Sequence, residues 1–318
     1  MITAIIPTRG DPLLPDTVRS LGGYCDEIII IDDASEVPVK QADFGAESGV
    51  QVVRNEARLG PGPCRDRGAK LARSPWLLFC DSHMSFPSNW HYLASQHLEG
   101  SDVSELWGAV WHRDVIDNSW WHDTRQVAGA DSYFWRHDDK SRFSFMDLLP
   151  RRPKREVNYD VPCVLGGCYF MHEEWFSKIG GMAPLVGYGS EETWLSWSTW
   201  LLGGHVRIMG DLPVIHHHQT ATRSRKPLIP EWEANRLVVL KRILTPDEFT
   251  AFCSWLPITD SVKHIVGSHN YFFDGLREQN VLSHHEVCEA FALQTVDEAL
   301  ELMEAFYLQE HKSNYERD

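Results

Sequence analysis

Four apolar runs in the first 80 residues each stop at a polar, chemically useful residue or loop, and no other feature constrains the fold as much. Ile2–Pro7 ends at Thr8 and Arg9, and Glu27–Ile31 ends at Asp32 and Asp33. Gly49–Arg54 leads into the Gly/Pro-rich loop Leu59–Pro63, and Trp76–Cys80 ends at Asp81, Ser82 and His83. Continuous apolar runs rich in β-branched residues read as strands buried on both faces. Between them, Asp16–Leu21 and Cys64–Ala72 carry helical spacing. Alternation of this kind predicts an α/β fold with a mainly parallel sheet flanked by helices. In such open sheets ligands bind outside the carboxyl ends of the strands, where these polar residues fall.

Residues 100–160 resist this reading. They hold Trp107, Trp111, Trp120, Trp121, Trp135 and the basic run Arg151–Arg155. Order returns with a strand in Val164–His172, helices at Glu173–Ile179 and Glu191–Leu202, and strands at His205–Met209 and Pro213–His218. After Pro230 the spacing is helical, over Glu231–Ile243, Pro246–Leu256, His285–Leu293 and Val296–Leu308. The expected division is therefore 1–228 as an α/β domain and 229–318 as a helical C-terminal extension.

Composition excludes some functions. With 45 acidic against 30 basic residues, the net charge of −15 rules out a uniformly basic nucleic-acid coat or a polybasic membrane binder. A local basic groove stays open. No apolar stretch reaches about 18 residues, so no membrane span is expected. The first strand starts at the second residue, so no secretory leader is expected. The 7 Cys form no CxxC pair and read as core thiols of a reducing compartment. The expectation is a cytoplasmic protein.

Asp81-x-His83 delivers a carboxylate and an imidazole from one strand end, a spacing that lets both meet one cation such as Mn²⁺ or Mg²⁺. An Asx turn with a surface histidine would look the same. His216-His217-His218 follows a strand, and alternation puts His216 and His218 on one face, so either fits as a third ligand. Asp32 and Asp33 can accept hydrogen bonds from a base and a ribose, or simply close a strand-end turn. Thr8, Arg9 and Ser82 share the same sheet edge. Arg65 follows a Gly-rich loop at a helix start, where backbone N–H groups and a guanidinium can hold a diphosphate.

The segment ARLGPGPCRDRGAKLARSPWLLFCDSHM resembles the matching region of the GT-A nucleotide-sugar glycosyltransferases. It is most similar to the polypeptide N-acetylgalactosaminyltransferase branch, whose metal motif is Asp-x-His. AIIPTRG, IIDDAS, RDRG, DSH, GGCYFMHEEWFSKIGG, YGSEETWLSWSTWLLGG and VIHHH follow in the family's order, so the resemblance covers about residues 1–220. It implies a GT-A (Rossmann-like) fold and a metal-dependent hexosyl- or N-acetylhexosaminyltransferase using a UDP-linked sugar. Asp81, His83 and His216 would bind Mn²⁺ or Mg²⁺. Asp32 and Arg65 would contact the nucleotide, and Gly166 and Gly167 the donor sugar.

One departure matters. The N-acetylgalactosaminyltransferase branch carries Glu-Asn where this chain has Glu191-Glu192, and family 2 at large carries Glu-Asp with the second carboxylate as base. Glu192 is thus a candidate general base, or alternatively a helix N-terminal carboxylate, and Glu191 a candidate acceptor or sugar contact. Retention and inversion both stay open. Arg223, with Arg225 and Lys226, is placed to close over the phosphates. The Trp-rich segment and the basic clusters would suit a polyanionic acceptor. Similar enzymes of bacterial viruses modify hydroxymethylated DNA bases or virion proteins, so DNA, protein and saccharide acceptors are all carried forward. A nucleotidyltransferase and a catalytically silent binding module are the rival classes, and the oligomeric state is undetermined.

Overall fold

The computed structural model describes residues 1–45, 49–113, 126–138, 142–217, 229–256 and 275–315. Four parallel strands open the chain: β1 (Ile2–Thr8), β2 (Glu27–Asp32), β3 (Val50–Arg54) and β4 (Trp76–Cys80). Helices α1 (Leu14–Leu21) and α2 (Pro61–Ala69) cross between them, and α3 (Trp90–Leu98) follows β4. The apolar runs are buried on both sides because alternate residues feed different layers. Ala4, Ile6, Ile28 and Ile30 pack with Leu14, Val18 and Trp90. Ile5 faces the opposite layer with Phe79 and Trp194, where Gly68 of α2 also lies against it.

Beyond β4 the sheet continues with β11 (Cys168–His172), antiparallel to both β4 and β6 (Glu105–Arg113). Strand β12 (His205–His216) runs parallel to β6, so its carboxyl end shares the edge of β1, β2 and β4. It is one strand where the sequence suggests two, with its register shifting between Met209 and Pro213. The full order is β10-β12-β6-β11-β4-β1-β2-β3, with β10 at Asn158–Asp160. Small strands β5 (Met84–Ser85) and β7 (Gln126–Val127) join β12 and β6 respectively. In the region that resisted reading, β8 (Ala130–Asp138) and β9 (Arg142–Pro150) form a separate antiparallel pair.

The Trp excess belongs largely to the core. Helix α4 (Glu173–Lys178) buries Trp175, and α5 (Glu191–Leu201) buries Trp194, Trp197 and Trp200. Trp107 and Trp135 are only 2% and 6% exposed, so they cannot stack on an acceptor base as the sequence suggested. Trp120 and Trp121 lie outside the described residues, as does the side chain of Trp111. The C-terminal region is helical as expected: α6 (Ile229–Ile243), α7 (Pro246–Ser254), α8 (His284–Phe291) and α9 (Val296–Tyr315). Leu237, Val238 and Leu240 of α6 belong to the same hydrophobic core as Trp194 and Trp197.

Candidate active site

The carboxyl ends of β4 and β12 bring one carboxylate and two imidazoles together. Ligand atoms of Asp81, His83 and His216 lie within 4.8 Å of one another. Antiparallel pairing of His216 with Met84 fixes this meeting, because β5 begins one residue after His83. His216 Nε2 is 3.4 Å from Asp81 Oδ2 and its ring is 4.9 Å from that of His83. His217 turns away and bonds Ser85 Oγ at 2.8 Å, which separates it from the cluster. His218 lies outside the described residues.

Asp11 completes the arrangement and escaped the sequence reading. Its Oδ2 lies 2.8 Å from His83 Nδ1 and accepts from Ser82 Oγ at 3.1 Å. With Nδ1 committed to a carboxylate, His83 presents Nε2 to the cluster, the usual second partner of a ligating histidine. Burial opposes the charged form of His83, but the Asp11 bond and the Asp81 charge outweigh it and raise its pKa. Burial dominates at His216 and lowers its pKa. The Asp11 signal was available: it lies three residues beyond Thr8, in the same polar strand-end segment.

Arg65, only 3% exposed, donates from Nη2 to Asp81 Oδ1 at 2.7 Å. Burial alone would raise the Asp81 pKa, but the His216 bond and the Arg65 charge hold the carboxyl well below its ordinary range. The opposite balance holds at the first turn of α5. Burial raises the Glu191 pKa despite Arg65, and burial with the Glu191 charge pushes Glu192 up to about 7. Gly166 lies against the Glu192 carboxylate with no room for a Cβ, and the Gly167 carbonyl accepts the Asp81 N–H at 2.9 Å. These two glycines therefore connect the cluster to the glutamates. Arg65, Asp81, Glu191, Glu192, Tyr188 and Trp232 line a common cleft of about 160 Å³.

At Asp32 and Asp33 the hydrogen bonds match the loop-closing alternative. The Asp32 side chain is wholly inaccessible, accepting from the Ser35 and Val39 N–H groups and pairing with Arg54. Asp33 accepts from Asn55 and from the Leu59 and Gly60 N–H groups. Both carboxylates build the loops of the site wall; Asp32 has no surface to offer a nucleotide. Thr8 sits at the strand end with its Oγ1 buried and, among the described residues, without a hydrogen bond, and Arg9 is exposed. Ser82 is buried behind the cluster. Arg151 pairs with Asp131 and lines, with Lys154 and Arg207, a different cavity of about 890 Å³ near Trp200, the far end of α5 from Glu191. That basic run does not line the site. Arg223, Arg225 and Lys226 lie outside the described residues.

The rim depends on α6, another feature hidden from the sequence. Glu231 takes a two-pronged ion pair from Arg58 at 3.2 and 3.0 Å, and Asn235 holds Val186 and Gly189. Gly60 has φ +95°, and a Cβ there would overlap the Gly187 backbone. Gly60→Ala is therefore expected to cost about 2–4 kcal/mol, combining left-handed strain with displaced backbone. A urea unfolding midpoint equal to wild type would contradict this packing.

Fold and site together define a GT-A-type sheet with one carboxylate and two imidazoles converging at its carboxyl edge. The crystal structure of GalNAc-T7 with UDP, GalNAc and Mn²⁺ superposes with a TM-score of 0.70 at 20% identity, covering 92% of this chain and 56% of that one. TarS 1–349 of S. aureus in complex with UDP-GlcNAc gives a TM-score of 0.52 at 12% identity, covering 97% and 92%. Residues 3–180 match Glycosyl transferase family 2, and the chain belongs to that family. N-acetylgalactosaminyltransferase 6 of Drosophila melanogaster is 30% identical over 218 residues, which is 66% of this chain and 31% of that protein. The chain spans about a third of the length of the curated relatives it matches.

Proposed function

We propose that this protein transfers a sugar from a UDP-linked donor to an acceptor hydroxyl, with Asp81, His83 and His216 holding a divalent cation. The observation that carries the reading is the convergence of those three side chains beside Arg65 and Glu192 at the carboxyl edge of the sheet. Family membership and the UDP-bound structural neighbours support the donor class. One carboxylate and two imidazoles suit Mn²⁺ better than the all-oxygen preference of Mg²⁺. When bound, the cation supplies Lewis-acid neutralisation of the leaving diphosphate.

The chain's own residues do the remaining work. Arg65 keeps Asp81 ionised and adds positive charge beside the diphosphate. Asp11 fixes the His83 ring, and Gly166 leaves the sugar side open to Glu192. Glu192 accepts the acceptor's proton, and Glu191 contacts a sugar hydroxyl. We read 1–228 as the donor-binding unit and 229–318 as a helical extension whose first helix braces the rim, in a cytoplasmic enzyme. No helix among the described residues is long and apolar enough to cross a membrane.

The acceptor we favour is a protein or saccharide hydroxyl. Two of the Trp rings that motivated a DNA acceptor are buried, and Arg151 and Lys154 line another cavity. Salt separates the cases, since transfer to DNA should fall steeply between 50 and 200 mM salt, by roughly 10³-fold or more for several phosphate contacts. The primary test is UDP release from a panel of UDP-sugars with Mn²⁺. One donor should be turned over, lost on adding EDTA and restored by excess Mn²⁺. No release from any donor would sink the reading, and pyrophosphate release from a nucleoside triphosphate would replace it with a nucleotidyltransferase.

A further inference from the structure

A second metal-type cluster lies in the helical C-terminal region. One ligand atom each from Glu248, His284 and His285 falls within 4.8 Å of the others. Two capped helix starts hold them. Glu248 is the third residue of α7, and its Oε2 accepts the Thr245 N–H at 2.9 Å and hydroxyl at 2.8 Å. That leaves Oε1 pointing outward from the cap. His284 and His285 open α8 behind a Ser283–Glu286 capping box.

Both imidazoles aim Nε2 at this one oxygen, His284 from 3.6 Å and His285 from 3.4 Å. Those separations are long for hydrogen bonds. They are the spacing expected of neighbouring ligands on one tetrahedral ion, about 3.3 Å apart for bonds of about 2.0–2.1 Å. The buried partner points the same way. His284 is 4% exposed, and among the described residues its Nε2 has no hydrogen-bond partner. Burial opposes ionisation of Glu248, but its Thr245 bonds and His284 keep the carboxyl below its ordinary value. His285, by contrast, is 43% exposed on its side chain, which leaves a route for solvent to a fourth position.

We propose that Glu248, His284 and His285 form a zinc site that ties α7 to α8. Two imidazole nitrogens and one carboxylate oxygen match zinc's preference and disfavour Mg²⁺ or Ca²⁺. The tie joins residues 36 positions apart in sequence, so it restrains a long loop in the unfolded chain. His284 also contacts Phe134 edge-on at 6.0 Å, so the clasp bears on the β8–β9 pair as well as on the two helices.

The test uses the full chain, stripped of metal, in an Asp81→Asn background that takes the carboxylate out of the first cluster. Equilibrium dialysis should give one bound zinc, and Co²⁺ should develop tetrahedral visible absorption. The exposed position allows His285→Ala with little risk to folding, and Glu248→Gln retains an acceptor for the Thr245 cap. Each should weaken binding by at least the roughly 10–100-fold that loss of even an outer-shell partner costs. Zinc should also raise the melting temperature of the background protein and leave that of the His285→Ala form unmoved. Without that background, the wild type should likewise exceed His285→Ala by one zinc equivalent. Equal zinc uptake with and without His285, in either background, would overturn the proposal, as would an absence of zinc binding.

Discussion

Asp81→Asn is expected to lower sugar-transfer turnover at least about 10³-fold while leaving the protein folded. The carboxylate stands between three groups, with Oδ1 on Arg65 at 2.7 Å and Oδ2 facing His216 at 3.4 Å and the His83 ring beyond. Asparagine keeps the volume and can still accept from Arg65. It loses the negative charge that would hold a cation between two imidazoles. Cation stabilisation of a leaving diphosphate is worth several kcal/mol, and about 4 kcal/mol corresponds to 10³ in rate. Alanine is the poorer choice, because it would strand the 3% exposed Arg65 guanidinium without its partner. That loss typically costs about 3–5 kcal/mol and would confuse folding with function. The measurement is turnover at saturating donor and Mn²⁺, with a urea midpoint as control. Turnover within tenfold of wild type would remove Asp81 from the proposed mechanism.

Asp81 and His83 were legible because a strand end is a local feature and the rule that ligands gather there depends only on sheet direction. Alternation narrowed the third residue to His216 or His218 and the family resemblance to His216; what brings it beside Asp81 is the pairing of β12 with β5, a contact between segments about 130 residues apart. The same strand-end rule left two readings open at Asp32 and Asp33. A carboxylate at that place can serve a ligand or close a loop, and only the positions of the Ser35, Leu59 and Gly60 N–H groups decide. Asp11 lies within reach of the same rule, but no motif marks it.

Tryptophan was misread for a different reason. Ring content says nothing about which way a ring faces, and Trp107, Trp135 and the three rings of α5 all face inward. Residues 126–150 could not be read at all, because the β8–β9 pair has strands without a clean alternation of apolar and polar residues. The rim contacts of α6 were invisible for a topological reason. Arg58 and Glu231 are 173 residues apart, and each looks like an ordinary solvated charge until the chain closes.

Glu192→Gln should abolish most activity and yet make the protein more stable at alkaline pH. Burial and the neighbouring Glu191 charge push the Glu192 pKa up to about 7, from an ordinary 4.5. The folded state therefore holds a proton that the unfolded chain releases first. Its contribution to stability is complete below about pH 4.5 and is lost as pH rises through about 7. Glutamine lacks this dependence. At pH 8 the variant should exceed wild type by about 1–3 kcal/mol, allowing for solvent at a half-buried group, and the gain should vanish near pH 4. As the acceptor's base, Glu192 must be ionised, so wild-type kcat/KM should climb with pH and level off above about 7. The variant should lose about 10²–10⁴-fold and show no such rise. Product NMR supplies the stereochemical half of the experiment, inversion being the outcome that matches a base at this position. A Glu192→Gln protein that keeps its turnover would assign the buried carboxyl a structural place on α5 and leave retention as the working chemistry.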